Sequence, residues 1–270
     1  MTLAFRLRCV LALALAAAGI APAGAADRAK ATGAELRLLS GFVMGAEAQL
    51  GLEIALEPGW KTYWRTPGDS GIPPQIDTSG SVNVAAVAVD FPAPVRFGDG
   101  NGESVGYTGP VVLPLRVTLA DPSRPATLSA RILVGVCREI CVPADGDLSV
   151  SVDPRRTPEP RAVSAIAAAK ARLPKPEGPE APFRIADVTL ADGALRVAVE
   201  DPGSAGPDLF VEGPEGWALP LAVRTGAEAG RSLWRVPLEG LPKDARPAGA
   251  ELRLTLSDGR RAVERRWTLR

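Results

Sequence analysis

The chain has 270 residues and no formal net charge, its 31 Lys and Arg balancing 31 Asp and Glu. Without a clustered excess of positive charge there is no electrostatic footprint for nucleic acid, and without a single histidine there is neither a Ser-His-Asp or Cys-His catalytic set nor a His-ligated metal site. A hydrophobic content of 46% is ample for a packed core, and 28 glycines with 26 prolines favour many turns between short strands over long helices.

Residues 1–25 read as a secretory signal. Arg6 and Arg8 supply a positive start, 10–20 is an apolar run, and Ala23-Gly24-Ala25 offers a small-residue cleavage site. The run is shorter than the ~20 residues that a spanning helix needs, and no later segment approaches that length. The protein is therefore expected outside the cytoplasm and not membrane-spanning. Cys9 leaves with the signal, so two cysteines remain, Cys137 and Cys141.

Strands are expected over 35–39 and 47–56; in the second, Ala48, Leu50, Leu52, Ile54 and Leu56 share one side. An irregular stretch over 58–74 follows, with three aromatics among prolines and glycines. Then come a strand over 82–91, a long Gly-rich loop over 92–109, and strands over 111–119, 127–136 and 147–152, the last two flanking the cysteines. Short strands broken by Gly and Pro indicate a β-sandwich, and 34–153 has the size of an immunoglobulin-like domain. The segment 154–180 is Pro- and Ala-rich, with a short helix over 162–173 stopped by Pro174; it reads as a linker and a domain boundary. A second, smaller β-sandwich-like domain is expected over 181–270. Its strands fall at 184–190, 194–199, 209–212, 218–223, 232–237, 251–256 and 262–269, separated by turns such as Asp192-Gly193 and Asp258-Gly259. The fold class is thus all-β.

The chemistry available to such a chain rests on Cys137 and Cys141. Outside the cytoplasm an even pair reads first as a disulfide. Strands on both sides make a hairpin setting, in which cross-strand Cα atoms lie ~4.5–5.5 Å apart, inside the window for a bridge. Closing a loop of about five residues stabilises by only ~2 kcal/mol, against ~4–5 kcal/mol for a loop of about a hundred. A short-loop bridge in a sizeable domain therefore suits reversible chemistry better than stapling, although the spacing of three residues is not that of a thioredoxin motif. A structural staple stays open. So does a soft-metal site, since two thiolates suit Cu(I), with Met44 the only methionine after residue 25.

Three segments carry a resemblance to a known family. The first is Gly59-Trp60-Lys61-Thr62-Tyr63-Trp64-Arg65, continuing through Pro67-Gly68-Asp69-Ser70-Gly71-Ile72-Pro73. The second is Phe91-Pro92-Ala93-Pro94-Val95-Arg96-Phe97, with Gly106-Tyr107 and Val112-Leu113-Pro114. The third is Val136-Cys137 with Cys141-Val142-Pro143. In this order, over 34–153, they resemble the N-terminal periplasmic domain of DsbD-type thiol:disulfide interchange proteins. The resemblance implies an immunoglobulin-like domain with a redox-active pair, here Cys137 and Cys141, Cys141 matching the sulfur that attacks or is attacked first. It implies electron relay between a membrane-embedded thiol reductase and periplasmic thioredoxin-like proteins, a periplasmic location, and no cofactor. It also implies a shielding loop, here 97–107, in which the shield is Phe97, Tyr107 or neither. The best-known members space the cysteines more widely and carry an aromatic near the loop tip, where this chain has Gly98-Asp99-Gly100-Asn101-Gly102. The chain also lacks the family's transmembrane helices and thioredoxin-like domain; the second β-region resembles no known family and reads as an accessory sandwich, as in longer variants linked to copper-stress tolerance. A binding or scaffold protein with a structural bridge and a copper-handling protein are the alternatives.

Beside the thiols, Arg138 would favour a thiolate and Glu139 would oppose it. Asp69, Asp99 and Glu103 are candidate proton handlers if the loops fold over the pair, against the plainer reading of solvated loop charges. Trp60, Tyr63 and Trp64 read as packing aromatics.

Overall fold

The computed structural model describes residues 26–98, 102–201, 206–239 and 241–270. The expected signal over 1–25, with Cys9, and the loop residue Asp99 lie outside the described residues.

The first half is a sandwich of eleven strands among the described residues: β1 (Arg28–Ala31), β2 (Ala34–Met44), β3 (Glu47–Leu56), β4 (Lys61–Gly68), β5 (Gln75–Asp77), β6 (Val84–Val89), β7 (Val95–Gly98), β8 (Glu103–Tyr107), β9 (Val111–Leu119), β10 (Ala126–Cys137) and β11 (Cys141–Val152). One sheet runs β1-β2-β3-β9-β6. The facing sheet runs β11-β10-β4-β8-β7, with β5 also paired to β10. The two-residue period of side chains decides what faces inward. In β3, Ala48, Leu50, Leu52, Ile54 and Leu56 are all buried, whereas Glu47, Gln49 and Glu53 between them are not. In β9 the buried set is Val111, Leu113, Leu115, Val117 and Leu119; in β10 it includes Leu128, Ile132, Val134 and Val136. These rows and Trp64 form one core, each fully buried Leu or Ile contributing about 1.5–3 kcal/mol.

Two segments of this half that read as irregular or loop from the sequence hold strands. The stretch 58–74 is not irregular throughout: Lys61–Gly68 is a strand, because Thr, Tyr and Trp suit a pleated, half-buried surface despite the flanking prolines and glycines. The expected loop 92–109 contains the β7–β8 hairpin, paired from Val95↔Gly106 to Gly98↔Glu103. Strands of four and five residues at a sheet edge leave little periodicity to read.

Helix α1 (Pro160–Ala171) starts with a proline, whose missing N–H costs nothing in a first helical turn. It lies on the outer face of the first sheet, where Ala162 and Ile166 pack with Leu39. Gly51 makes room for it: a Cβ there would come within 3.1 Å of Ile166 and 2.8 Å of Val112.

The second half holds β12 (Lys175–Pro176), β13 (Arg184–Ala191), β14 (Ala194–Glu200), β15 (Asp208–Glu212), β16 (Val223–Glu228), β17 (Arg231–Pro237), β18 (Glu251–Ser257) and β19 (Ala262–Thr268). Its sheets run β12-β19-β18-β15 and β13-β14-β17-β16, closing over Leu195, Val197, Val199, Leu209, Trp234, Val236, Leu252, Leu254 and Leu256. The strand expected at 218–223 lies at Val223–Glu228 instead; it is an exposed edge strand, so its residues show no apolar alternation.

The two halves are joined by more than the linker. Phe210 of β15 is buried in the core of the first sandwich, its ring centroid 5.7 Å from that of Trp64. Arg65 stacks on Trp64 at 3.9 Å and donates a fork to Glu212 at 2.8 and 2.7 Å, with a further bond to Glu264 at 3.0 Å. Burial alone would lower the Arg65 pKa, but the bonds to Glu212 and the charges of Glu212 and Glu264 outweigh it and raise it. A planar guanidinium is the side chain suited to such a bidentate, stacked position. Replacing it strands two partly buried carboxylates. Arg65→Ala should therefore cost about 2–4 kcal/mol in chemical denaturation, and Arg65→Lys should recover only part. A loss below about 0.5 kcal/mol, the range of ordinary surface changes, would show that this cluster does not hold the halves together.

Candidate functional site

Cys137 ends β10 and Cys141 begins β11; they are directly opposed in the ladder, with Cα atoms 4.1 Å apart, and form a disulfide. Arg138, Glu139 and Ile140 make the turn between them. Opposed residues in an antiparallel pair project to the same face, which brings the two sulfurs together. On its other side Cys137 is opposed by Lys61 of β4. Since Thr62, Trp64, Val134 and Val136 are buried inward, alternation sends Lys61, Tyr63, Gly135 and Cys137 to the outer face of the sheet. The bridge thus sits outside the inter-sheet core, on a face of its own.

That face has its own small cluster: Tyr63, Phe97 and Cys137, with Val95 packed against it. Tyr63 is only 1% exposed despite facing outward. Its ring lies between two glycines. A Cβ on Gly135 would strike its Cδ2–Cε2 edge and one on Gly71 its Cδ1–Cε1 edge; Gly71 also has φ +115°, where a side chain is strained. The ring is thus bordered on both edges, and its hydroxyl reaches the Cys141 sulfur at 3.1 Å. Phe97 of β7 lies 6.1 Å from Tyr63, centroid to centroid, and is 9% exposed. Lys61 spans the Phe97 ring, with Nζ 5.2 Å from its centroid, and donates to the Gly98 carbonyl at 2.6 Å.

The two sulfurs have different surroundings. Cys137 is fully buried, whereas Cys141 is exposed. The exposed residue of the pair is the one that an incoming thiolate can approach, and a buried sulfur among aromatics is a reluctant thiolate. Nearby, Ile140 is 70% exposed at the turn, and Arg138 lies over Trp60 at 5.6 Å.

The residues singled out from the sequence divide accordingly. Phe97 meets the pair. Tyr107 does not: it is in the main core, and its hydroxyl donates to the Pro92 carbonyl at 3.0 Å. Burial raises the Tyr107 pKa far above the ordinary tyrosine value, opposed by the charges of Arg65 and Arg172. Asp69 accepts from the Glu103 backbone N–H at 3.4 Å and Glu103 pairs with Arg96 at 2.9 Å, so both serve the β7–β8 hairpin. Trp60 and Trp64 belong to the core, as packing aromatics do. Pro67 and Gly68 end β4, Gly71 borders Tyr63, and Pro73 follows Ile72, whose carbonyl accepts from the Gly135 N–H. Sequence reasoning missed the contact of the Tyr63 hydroxyl with sulfur and the role of Lys61. The signal was the spacing Lys61-x-Tyr63 with glycine at 135, legible only once 61–68 is taken as a strand. Among the described residues no group of three or more His, Cys, Asp or Glu side chains gathers as a metal site. Met44 lies at the far end of β2.

Among the described residues no helix is long and apolar enough to cross a membrane. No curated protein matches the chain in sequence. The N-terminal periplasmic domain of ScsB from Proteus mirabilis shares the fold at a TM-score of 0.71, with 20% identity over 88% of this chain and 94% of that one. The common architecture therefore extends through both sandwiches. A conserved domain protein from Bacillus anthracis aligns at a TM-score of 0.20 and 8% identity, too distant to bear on the fold. Residues 172–270 match a family described as "Domain of unknown function (DUF8393)". Residues 37–152, which hold the disulfide and everything packed around it, match "Thiol:disulfide interchange protein DsbD, N-terminal", and it is this part of the chain that is similar to that family.

Proposed function

We propose that this protein is a periplasmic thiol-disulfide interchange protein. In this reading, the Cys137–Cys141 bridge carries reducing equivalents between a membrane-embedded thiol reductase and periplasmic thioredoxin-like proteins. The observation that carries the reading is the asymmetry of the pair: an exposed Cys141 with a hydroxyl at its sulfur, and a Cys137 buried under Phe97 and Tyr63. The signal-like start of the sequence and the periplasmic origin of the similar ScsB domain support the location.

The exchange proceeds in two displacements. A partner thiolate attacks the Cys141 sulfur. The bond from Cys141 to the partner forms as the Cys141–Cys137 bond breaks, and Cys137 leaves with the electron pair as a thiolate that takes its proton once solvent is admitted past Phe97. A second partner thiolate then attacks the partner's own sulfur in the mixed disulfide and expels Cys141 as a thiolate. The partner's dithiol is oxidised and this chain is reduced by the same two electrons; an oxidised acceptor runs the sequence backwards. Tyr63 acts on Cys141 in this scheme. A hydroxyl bonded to a sulfur stabilises the thiolate more than the neutral thiol, by the margin of a charge-assisted bond.

Cys137→Ser should leave Cys141 free to form a stable mixed disulfide with a thioredoxin-like protein, seen as a reductant-sensitive adduct by mass, while Cys141→Ser should trap little. Equal trapping by both variants would sink the assignment of roles, and no trapping by either would leave the bridge a staple. The double Ser variant should lose at most about 2 kcal/mol of stability, the worth of so short a loop.

A second expectation concerns Tyr63. In the Cys137→Ser background, Tyr63→Phe should raise the Cys141 pKa by about one unit or more, the equivalent of a charged hydrogen bond of ~1.5 kcal/mol. The pH dependence of iodoacetamide alkylation reads this directly. An unmoved profile would show that the hydroxyl only fills space.

A further inference from the structure

We propose that the second sandwich controls how readily the bridge reacts, by holding strand β7 closed over it through Arg96. The proposal rests on the interchange reading above and adds a means of regulating it.

Strand β7 is the edge of its sheet, with β8 as its ladder neighbour. A four-residue edge strand held by one neighbour frays readily. Yet it carries Phe97, which covers the buried Cys137. What holds β7 from its open side is the second sandwich. Arg96 precedes Phe97, so alternation sends its side chain away from the sulfurs. Its guanidinium donates to Asp208 at 3.2 Å and to the Ala222 carbonyl at 2.9 Å, both in the second half, and to Glu103 of β8 at 2.9 Å. Two residues before Arg96, the Pro94 carbonyl accepts a buried bond from the Ser257 hydroxyl at 2.8 Å. Gly259 borders Val95 so closely that a Cβ there would come within 2.8 Å of it. Three successive residues before the covering Phe97 are therefore gripped from the other sandwich.

The grip is local. A groove of about 540 Å³ opens beside it, lined in part by Arg96, Asp208, Val223 and Arg224. Losing a few bonds can release β7 without parting the halves, which the Arg65 cluster and Phe210 hold elsewhere. Release would let water reach Cys137. The hydrated sulfur is a better leaving group when a thiolate attacks Cys141, because a lower leaving-group pKa speeds exchange. Arg96 is thus a positioning residue that acts through Phe97.

The test measures the rate at which dithiothreitol reduces the bridge in the full chain, by quenched alkylation and mass, with urea unfolding of each variant in parallel. Arg96→Ala should be reduced on the order of tenfold faster, the scale of one charge-assisted bond no longer opposing opening. Arg96→Lys, which keeps the charge but loses the fork, should fall between. Phe97→Ala should be at least as fast as Arg96→Ala, and the double variant no faster than Phe97→Ala, since both act on one cover. A purely structural role for Arg96 would add its effect to that of Phe97. Wild-type rates in Arg96→Ala, or full multiplication in the double variant, would overturn the proposal. If Arg96→Ala does not fold, Ser257→Ala and Asp208→Asn take its place. Each should accelerate reduction, and wild-type rates in both would overturn it. The interchange reading has a separate arm: failure of the wild-type bridge to exchange with reduced thioredoxin would sink that reading while leaving the effect of Arg96 on dithiothreitol intact.

Discussion

Strand β4 belongs to several environments, and the two-residue period of its side chains decides which residue serves each. Thr62 and Trp64 point into the first core, where the Thr62 hydroxyl donates to the Gly135 carbonyl at 2.8 Å and Trp64 meets Phe210. Lys61 and Tyr63 point outward, to Phe97 and the sulfurs. The ladder to β8 is then interrupted between Tyr63 and Gly68, and the freed stretch carries Arg65 and Thr66, both bonded to Glu212 of the second sandwich. A one-residue slip would exchange the first two sets, placing a lysine in the core and a tryptophan on the disulfide. Core, site and interface are therefore set by one register.

The interface has a similar economy. Arg65 and Arg96 both reach across to the second half, each with more than one acceptor. They differ in what lies behind them. Arg65 is backed by Trp64 and a core, so its bonds add to an assembly already packed with apolar surface. Arg96 is backed by an edge strand and a groove. The same kind of bond is thus structural in one place and poised in the other, because the cost of breaking it depends on how much packing must move as well.

Much of this was legible in the sequence, for definite reasons. The strand 47–56 shows its alternation plainly and is found with those bounds; so is 111–119. The cysteine hairpin was legible because strands flank it and three residues suffice to turn. The β7–β8 hairpin was not, since its strands are short and set among glycines that read as loop. Phe97 could be singled out as a shield, but Tyr107 could not be separated from it: the two differ only in which face of the sheet they take, and that needs the register to β4. The contact between the Tyr63 hydroxyl and Cys141 depends on two glycines far apart in the chain, 71 and 135, that leave a slot between them. Nothing in local composition announces such a slot. The Arg65 and Arg96 bonds join residues more than a hundred positions apart, with no periodicity to betray them.

The ladder between β10 and β11 pairs residues without a break from Ala126↔Val152 to Cys137↔Cys141. It does not depend on the sulfur–sulfur bond for its register. When the bond opens, the backbone still holds the two thiols face to face. Each then experiences the other at an effective concentration far above that of any external thiol, as in any well-oriented intramolecular reaction. In the proposed exchange, a partner caught on Cys141 would sit beside a resolving thiol whose approach is already arranged. Long-lived adducts would be disfavoured by construction, with the hairpin itself as the timer that returns a captured partner to solution.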